Sequence, residues 1–242
     1  MGKDMRMDKF LADMGKGTRS QIKEAARKGR IQINGIITKK PDTKVDPEKD
    51  TVLFDGSAVS YVTMEYYMLN KPQGVVSATE DGKYQTVIDL IDEKNRKDLF
   101  PVGRLDIDTE GLLLITNDGM LAHRLLAPKK HVDKVYYAVC NGLVPDSAVD
   151  EFAEGLMLPD GLKCLPASLE ILSKHEDKMV TEIQLTIREG KFHQVKRMME
   201  AVDCPVTFLK RLTMGPLTLD ETLKPGEYRT LTVEELELLN NL

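Results

Sequence analysis

The stretch from Gly103 to Gly119, GRLDIDTEGLLLITNDG, constrains the fold of this chain more than any other. Leu112-Leu113-Leu114-Ile115 is too apolar to be anything but a buried strand, and Asn117-Asp118-Gly119 ends it in a turn. Just before the strand lie Asp106, Asp108 and Glu110. A buried strand leaving an acidic loop pins the loop, and pinned geometry is what a catalytic carboxylate requires. The residues alone leave two readings open: a solvated acidic loop, or one reactive carboxylate held beside Arg104. A calcium loop of EF-hand type also begins well, with Asp106-x-Asp108-x-Glu110-Gly111. It fails at its end, because Asn117 stands where a bidentate Glu is needed and a strand, not a helix, adjoins it.

With 242 residues the chain can hold one large and one small domain. Hydrophobic content of 41% with 30% charged residues describes a soluble globular protein, and no apolar run approaches the roughly 20 residues of a membrane span. The start shows no signal-peptide pattern, and Arg6 stands where a myristoylation site needs Ser or Thr, so a cytoplasmic protein is expected. Cys140, Cys164 and Cys204 are odd in number and far apart, which points to buried free thiols. The four histidines lack metal-ligand spacing, so no metal is expected. Net charge is −5, but it is unevenly spread: residues 1–46 carry 12 basic and 6 acidic residues, a balance of +6 that leaves −11 for the rest. A basic module joined to a larger acidic one is the simplest account.

The basic module reads as helix, turn, helix, strand. Met7, Phe10, Leu11 and Met14 have helical spacing, Gly15-Lys-Gly17 breaks the helix, and Thr18 is placed to cap a second one. That second helix and its end carry Arg19, Lys23, Arg27, Lys28 and Arg30, with Glu24 the single acidic residue among them. A charged helix face is commonly just a solvated one, yet a one-sided row of cations is also what neutralising a phosphate backbone requires. Ile31-Gln-Ile33 alternates as a strand before the Asn34-Gly35 hairpin turn. The order Arg6-Met-Asp-Lys-Phe-Leu, Arg19-Ser20 and Gly29-Arg-Ile-Gln-Ile-Asn-Gly35 resembles the S4 RNA-binding domain over roughly residues 5–55. A connector with Pro41, Pro47 and Gly56 sets the expected domains at 1–60 and 61–242.

In the second domain Glu65–Leu69 reads as a strand returning through the turn Asn70-Lys-Pro-Gln-Gly74 to a partner at Val75–Ala78, and Thr86–Leu90 as a short helix. Leu121–Leu126 is a helix ended by Pro128, followed by the basic run Lys129-Lys130-His131. Lys134–Cys140 alternates as a strand, which sends Tyr136 and Tyr137 to opposite faces without saying which faces a cleft. A short helix is expected over Asp146–Glu154 and a long strand over Met179–Ile187. A helix over Lys191–Glu200 follows, with Phe192, Val195, Met199 and Val202 as its apolar stripe and His193, Lys196, Arg197 and Glu200 opposite. Thr232-x-x-Glu235 should cap a last helix.

Taken whole, GRLD-x-x-T-x-G-L-L-L-x-T-N-D-G resembles the signature of the pseudouridine synthases, in the ribosomal group called RsuA-type. The resemblance implies an α+β fold: a small S4-like domain, then a catalytic domain with a mixed, largely antiparallel sheet and a central cleft. It implies that Asp106 is the catalytic carboxylate and that Tyr136, in the Lys-x-Tyr element, stacks on uracil. Glu189-Gly-x-x-His-Gln-Val-Lys-Arg-Met198 resembles a further motif of the family, and position matching makes Lys196 the cation beside Asp106, with Arg197 as fallback. Where relatives carry arginine, lysine replaces a bidentate fork by a point charge. The implied partner is ribosomal RNA or a ribosome-assembly intermediate, met by Arg19, Lys23, Arg27, Lys28, Arg30, Arg104, Lys129, Lys130, His193 and Arg197. The implied reaction turns one uridine of small-subunit (16S) rRNA into pseudouridine in a monomeric enzyme; it has no redox step and calls for no cofactor. A large-subunit target and a non-catalytic assembly factor are the alternatives. A glycosidase using Asp106 and Asp108 as acid and base ranks last, since the basic module would have no purpose in it.

Overall fold

Leu112 to Ile115 are fully buried, as their apolarity requires, in a strand around which the larger part of the molecule is laid out. The computed structural model describes residues 4–127 and 130–242. It divides into two compact units: the chain up to Glu65 together with Asp92–Leu99, and Tyr66–Ile91 together with Phe100–Leu242.

The first unit contains β1 (Met5–Arg6), α1 (Met7–Asp13), α2 (Arg19–Arg27), β2 (Ile31–Ile33), β3 (Ile36–Ile37), β4 (Lys44–Val45), β5 (Val52–Phe54) and β6 (Ser57–Val59). Met7, Phe10 and Leu11 of α1 close on Ile22, Ala25 and Ala26 of α2, a core completed by Ile31, Val45 and Val52. Thr18 and Gln21 form a full capping box at the start of α2. Asn34 and Gly35 both take positive φ, the twist that a two-residue hairpin turn needs, and join β2 to β3 in a sheet ordered β3-β2-β5-β6. The expected boundary at 60/61 differs from this division: the chain stays in the first unit to Glu65 and returns to it over 92–99. Arg96, 5% exposed, holds that return. It donates to Asp98 at 2.6 and 2.8 Å, to the Tyr61 hydroxyl at 3.1 Å and to the Val62 carbonyl at 3.2 Å. The Glu65 carboxylate accepts from the backbone N–H groups of Asn95 and Arg96.

The second unit contains β7 (Tyr66–Lys71), β8 (Phe100–Pro101), β9 (Glu110–Thr116), α3 (Gly119–Leu126), β10 (Lys134–Asn141), α4 (Ala148–Glu154), β11 (Ser168–His175), β12 (Val180–Ile187), α5 (Gln194–Glu200), β13 (Val206–Met214), β14 (Leu217–Thr218), β15 (Tyr228–Thr230) and α6 (Val233–Asn240). Nine of its strands form one mixed sheet, ordered β11-β12-β10-β13-β9-β7-β15, with β14 on β13 and β8 on β9. Every pairing is antiparallel except β13 with β9, where Arg211 lies opposite Gly111. Gly111 has φ 103°, and a Cβ there would stand 2.2 Å from the Arg211 carbonyl oxygen, so only glycine permits this join. The fold is thus α+β, with a mixed and largely antiparallel sheet.

Several local expectations differ. Val75–Ala78 forms no hairpin with β7, whose hydrogen-bonding edges are taken by β9 and β15; Val76 makes only an isolated bridge to Thr86. Thr86–Leu90 is a run of turns, because Thr86 and Asp89 each bind the other's backbone N–H and draw the chain into i→i+3 closure. Met179 falls outside β12 with φ 52°. The helix expected from Lys191 begins only at Gln194, since His193 before it is left-handed. The capping box of Thr232 and Glu235 at α6 is present. Among the described residues, no helix is long and apolar enough to cross a membrane.

Candidate active site

The loop before β9 is held from beneath by three side chains of its own unit. The Ser77 hydroxyl donates to the Leu105 carbonyl at 2.8 Å and accepts from the Leu105 N–H at 3.0 Å, fixing that residue's backbone on both sides. Lys71, the last residue of β7, is fully buried, and its ammonium donates to the carbonyls of Asp106 and Thr109 at 2.9 Å and of Pro72 at 3.0 Å. Burial pulls the Lys71 amine down to about 8, against the opposing charges of Asp106, Asp108 and Glu110. Arg211, 2% exposed, donates from Nε to the Leu112 carbonyl at 2.8 Å, securing the start of β9 just beyond the loop.

With its backbone fixed, the loop turns the Asp106 carboxylate into a cleft. Tyr136, Ile187 and Leu209 line it together with Asp106, His193 and Lys196. Lys196 Nζ lies 3.3 Å from Asp106 Oδ2 and, closer still, 2.6 Å from Asp108 Oδ1. Burial works to lower the Lys196 ammonium, but the hydrogen bond to Asp108 and the charge of Asp106 outweigh it and leave it raised, hence firmly cationic. The hydrogen bond from Lys196 in turn holds Asp108 below the usual carboxylate range. His193 Nε2 stands 3.6 Å from Asp106 Oδ1. Such a site presents the Asp106 carboxylate, backed by a cation, in a cleft that Tyr136 also lines. It can stabilise or trap positive charge developing on a bound sugar carbon.

Asp106, Tyr136 and Lys196, picked from the sequence, come together in this one cleft. The alternation of β10 buries Tyr136 on the cleft side and sends Tyr137 to the other face, where its hydroxyl donates to Glu182 at 2.7 Å. Arg197 turns away from Asp106 to pair with Asp160, so the cation at the carboxylate is Lys196. Arg104 is exposed on the cleft wall. His193, expected only as an RNA contact, stands beside the carboxylate itself. In the first unit Arg19, Lys23 and Arg27 lie along the exposed face of α2, opposite buried Ile22, Ala25 and Ala26. Lys28 is paired with Glu24 at 2.7 Å, and Arg30 with Asp55 while lying over the Phe54 ring. Lys130 donates to the Leu242 carbonyl at 3.1 Å; Lys129 lies outside the described residues.

Lys71 and Ser77 were not legible as site residues. The one sequence signal for Lys71 is a lysine closing the run Tyr66–Asn70, a pattern that equally fits a turn residue. Cys140, Cys164 and Cys204 are free and buried.

The RNA pseudouridylate synthase family model matches residues 65–201, and the S4 domain model residues 5–52. An RNA pseudouridine synthase of Bacillus subtilis, YtzG, described as uncharacterized, is 49% identical over 237 residues, 98% of each chain. The ribosomal small subunit pseudouridine synthase A of Yersinia pestis is 41% identical over 96% of this chain and 97% of its own, and that of Escherichia coli is 40% identical over 96% and 98%. A crystal structure of a pseudouridylate synthase superposes with a TM-score of 0.67 at 39% identity, covering 97% of this chain and 99% of that one.

Proposed function

The chain belongs to the RNA pseudouridylate synthase family and carries an S4 domain at its N-terminus, and on that premise we propose that it converts one uridine of small-subunit (16S) rRNA to pseudouridine with Asp106 as the catalytic carboxylate. The observation that carries this reading is the Asp106–Lys196 pair, 3.3 Å apart, in one cleft with Tyr136.

The target uridine leaves its stack and enters the cleft, as any base must that is modified at its ring. Its uracil lies on Tyr136, and Asp106 faces C1′ of the ribose. As the C1′–N1 bond breaks, positive charge grows at C1′ and is met by the Asp106 carboxylate. Lys196, 3.3 Å from Asp106, sets a fixed positive charge beside that carboxylate. The freed uracil turns, C5 bonds to C1′, the C5 proton leaves and N1 takes one up, so atoms and charge balance without a co-reactant. Arg104 and the α2 face of Arg19, Lys23 and Arg27 neutralise phosphates and set the register of the RNA. All residues of this chemistry come from one unit of one chain, which supports a monomer, and the three free thiols fit a cytoplasmic protein.

The test is pseudouridine mapping on small- and large-subunit rRNA from cells lacking this protein, complemented with wild type or Asp106→Asn. One small-subunit site should vanish and return only with wild type. Loss of a large-subunit site would reassign the substrate, and rescue by Asp106→Asn would remove Asp106 from the chemistry.

A further inference from the structure

The rim of the cleft carries a feature that bond making at C1′ does not use. Phe192 is 72% exposed, more open than any other aromatic residue described. Isolated exposed side chains are ordinary, but this one is held in place. Its ring stacks on that of His193, with centroids 3.8 Å apart and planes 18° from parallel. The stack depends on His193 adopting a left-handed backbone, φ 49°, which costs a non-glycine residue roughly 1–3 kcal/mol and persists only where the surroundings enforce it. The surroundings here are a locked turn. Buried Gln194 accepts from the Lys191 N–H at 3.0 Å with its amide oxygen and donates from its amide nitrogen to Glu189 at 2.7 Å. The Gln194 N–H closes the turn on the Lys191 carbonyl at 3.2 Å. The consequence is that Phe192 is turned out of the apolar stripe assigned to it and set beside His193, whose Nε2 is 3.6 Å from Asp106.

We propose that Phe192, stacked on His193, is a platform for the base that neighbours the target uridine, received when the uridine swings into the cleft. This rests on the reading of the cleft as a uridine-modifying site. One face of the ring is taken by His193 and the other is open, at a ring spacing like that between stacked bases. Arg104, exposed on the wall of the same cleft, places positive charge where the flanking phosphates would run. An aromatic ring beside cations accepts any base by stacking, and such a stack is worth about 1–3 kcal/mol. Phe192 is thereby a positioning residue: it orders the strand around the uridine and leaves bond making to Asp106.

Small-subunit rRNA extracted from cells lacking the enzyme is the substrate for the test. Phe192→Ala should raise KM about 5- to 150-fold, the range that 1–3 kcal/mol corresponds to, with kcat within about threefold. Phe192→Tyr should restore KM, and an unchanged melting temperature should accompany both, since the ring is exposed. A KM for Phe192→Ala within twofold of wild type overturns the proposal. The chain contains no tryptophan, so Phe192→Trp reports on the platform alone. Its emission should be quenched by oligouridylate over the concentration range in which fluorescence polarisation shows binding, in the Asp106→Asn background as well. Binding without quenching also overturns the platform. Should the rRNA not be turned over at all, the substrate reading falls, while quenching still upholds the platform and its absence still removes it.

Discussion

Two short helices in this molecule carry rows of cations that look alike in the sequence and do different work. On α2, Arg19, Lys23 and Arg27 stand on an exposed face over a buried one, while Lys28 and Arg30 are paired within their own unit. On α5, Lys196 is mostly buried between two carboxylates and Arg197 is paired with Asp160. The difference lies in what each cation meets. A solvated cation keeps its freedom and attracts a phosphate at long range, weakly and in a salt-dependent way. One held 3.3 Å from Asp106 and 2.6 Å from Asp108 is fixed at short range to partners of its own fold.

The sharpest way to break this comparison is to neutralise the α5 cation. Lys196→Met should lower kcat about 100- to 1,000-fold with little change in RNA affinity, measured by single-turnover pseudouridine formation. Lys196→Arg should recover part of the rate, because charge matters more than shape there. If Lys196→Met weakens RNA binding and leaves kcat alone, the two helices do the same job after all.

Next in size is Lys71→Met, which leaves the carbonyls of Pro72, Asp106 and Thr109 without their donor. We expect about 2–4 kcal/mol of lost stability in urea denaturation. The cost should depend on pH. The folded-state value of Lys71 is about 8, below its ordinary 10.5, so between these values the unfolded chain holds more of the proton. Wild-type stability from this group therefore rises from about pH 8 to about pH 10.5, and the cost of Lys71→Met should grow over the same window. A cost that shrinks there would mean that the ammonium is favoured in the folded state.

Smaller effects should follow on α2. Lys23→Gln with Arg27→Gln should weaken rRNA binding several-fold at low salt and lower the salt slope by about 1.4–1.8, two phosphate contacts' worth, with kcat untouched. Smaller again, Thr18→Ala should cost about 1 kcal/mol in thermal unfolding through the lost cap, without altering the salt slope. A changed slope would show that helix order, rather than charge alone, sets the affinity.

Legibility followed the range of the forces involved. The buried strand at Leu112–Ile115, the caps at Thr18 and Thr232 and the turn at Asn34-Gly35 rest on contacts a few residues apart, and they stand as read. The division of Tyr136 from Tyr137 needed the motif to say which face was the cleft, because alternation alone is symmetric. Val75–Ala78 has strand character but no free edge to pair with, since β9 and β15 flank β7. Phe192 fits an apolar stripe by spacing, yet a left-handed His193 turns it outward, and no periodicity reports a single φ.

By itself the sequence determined which segments could be buried, where helices begin, that a carboxylate sits on a loop pinned by a strand, and, through its motifs, which family that loop belongs to. Those are properties of neighbouring residues and of composition. Only the tertiary structure decided that Lys71 lies under the loop, that Lys196 and not Arg197 reaches Asp106, and that residues 92–99 return to the first unit through Arg96 and Glu65. Each of these depends on groups far apart in the chain that become neighbours once burial removes water. In that setting an ion pair or a buried ammonium acquires its energy, and nothing in the local order of residues encodes it.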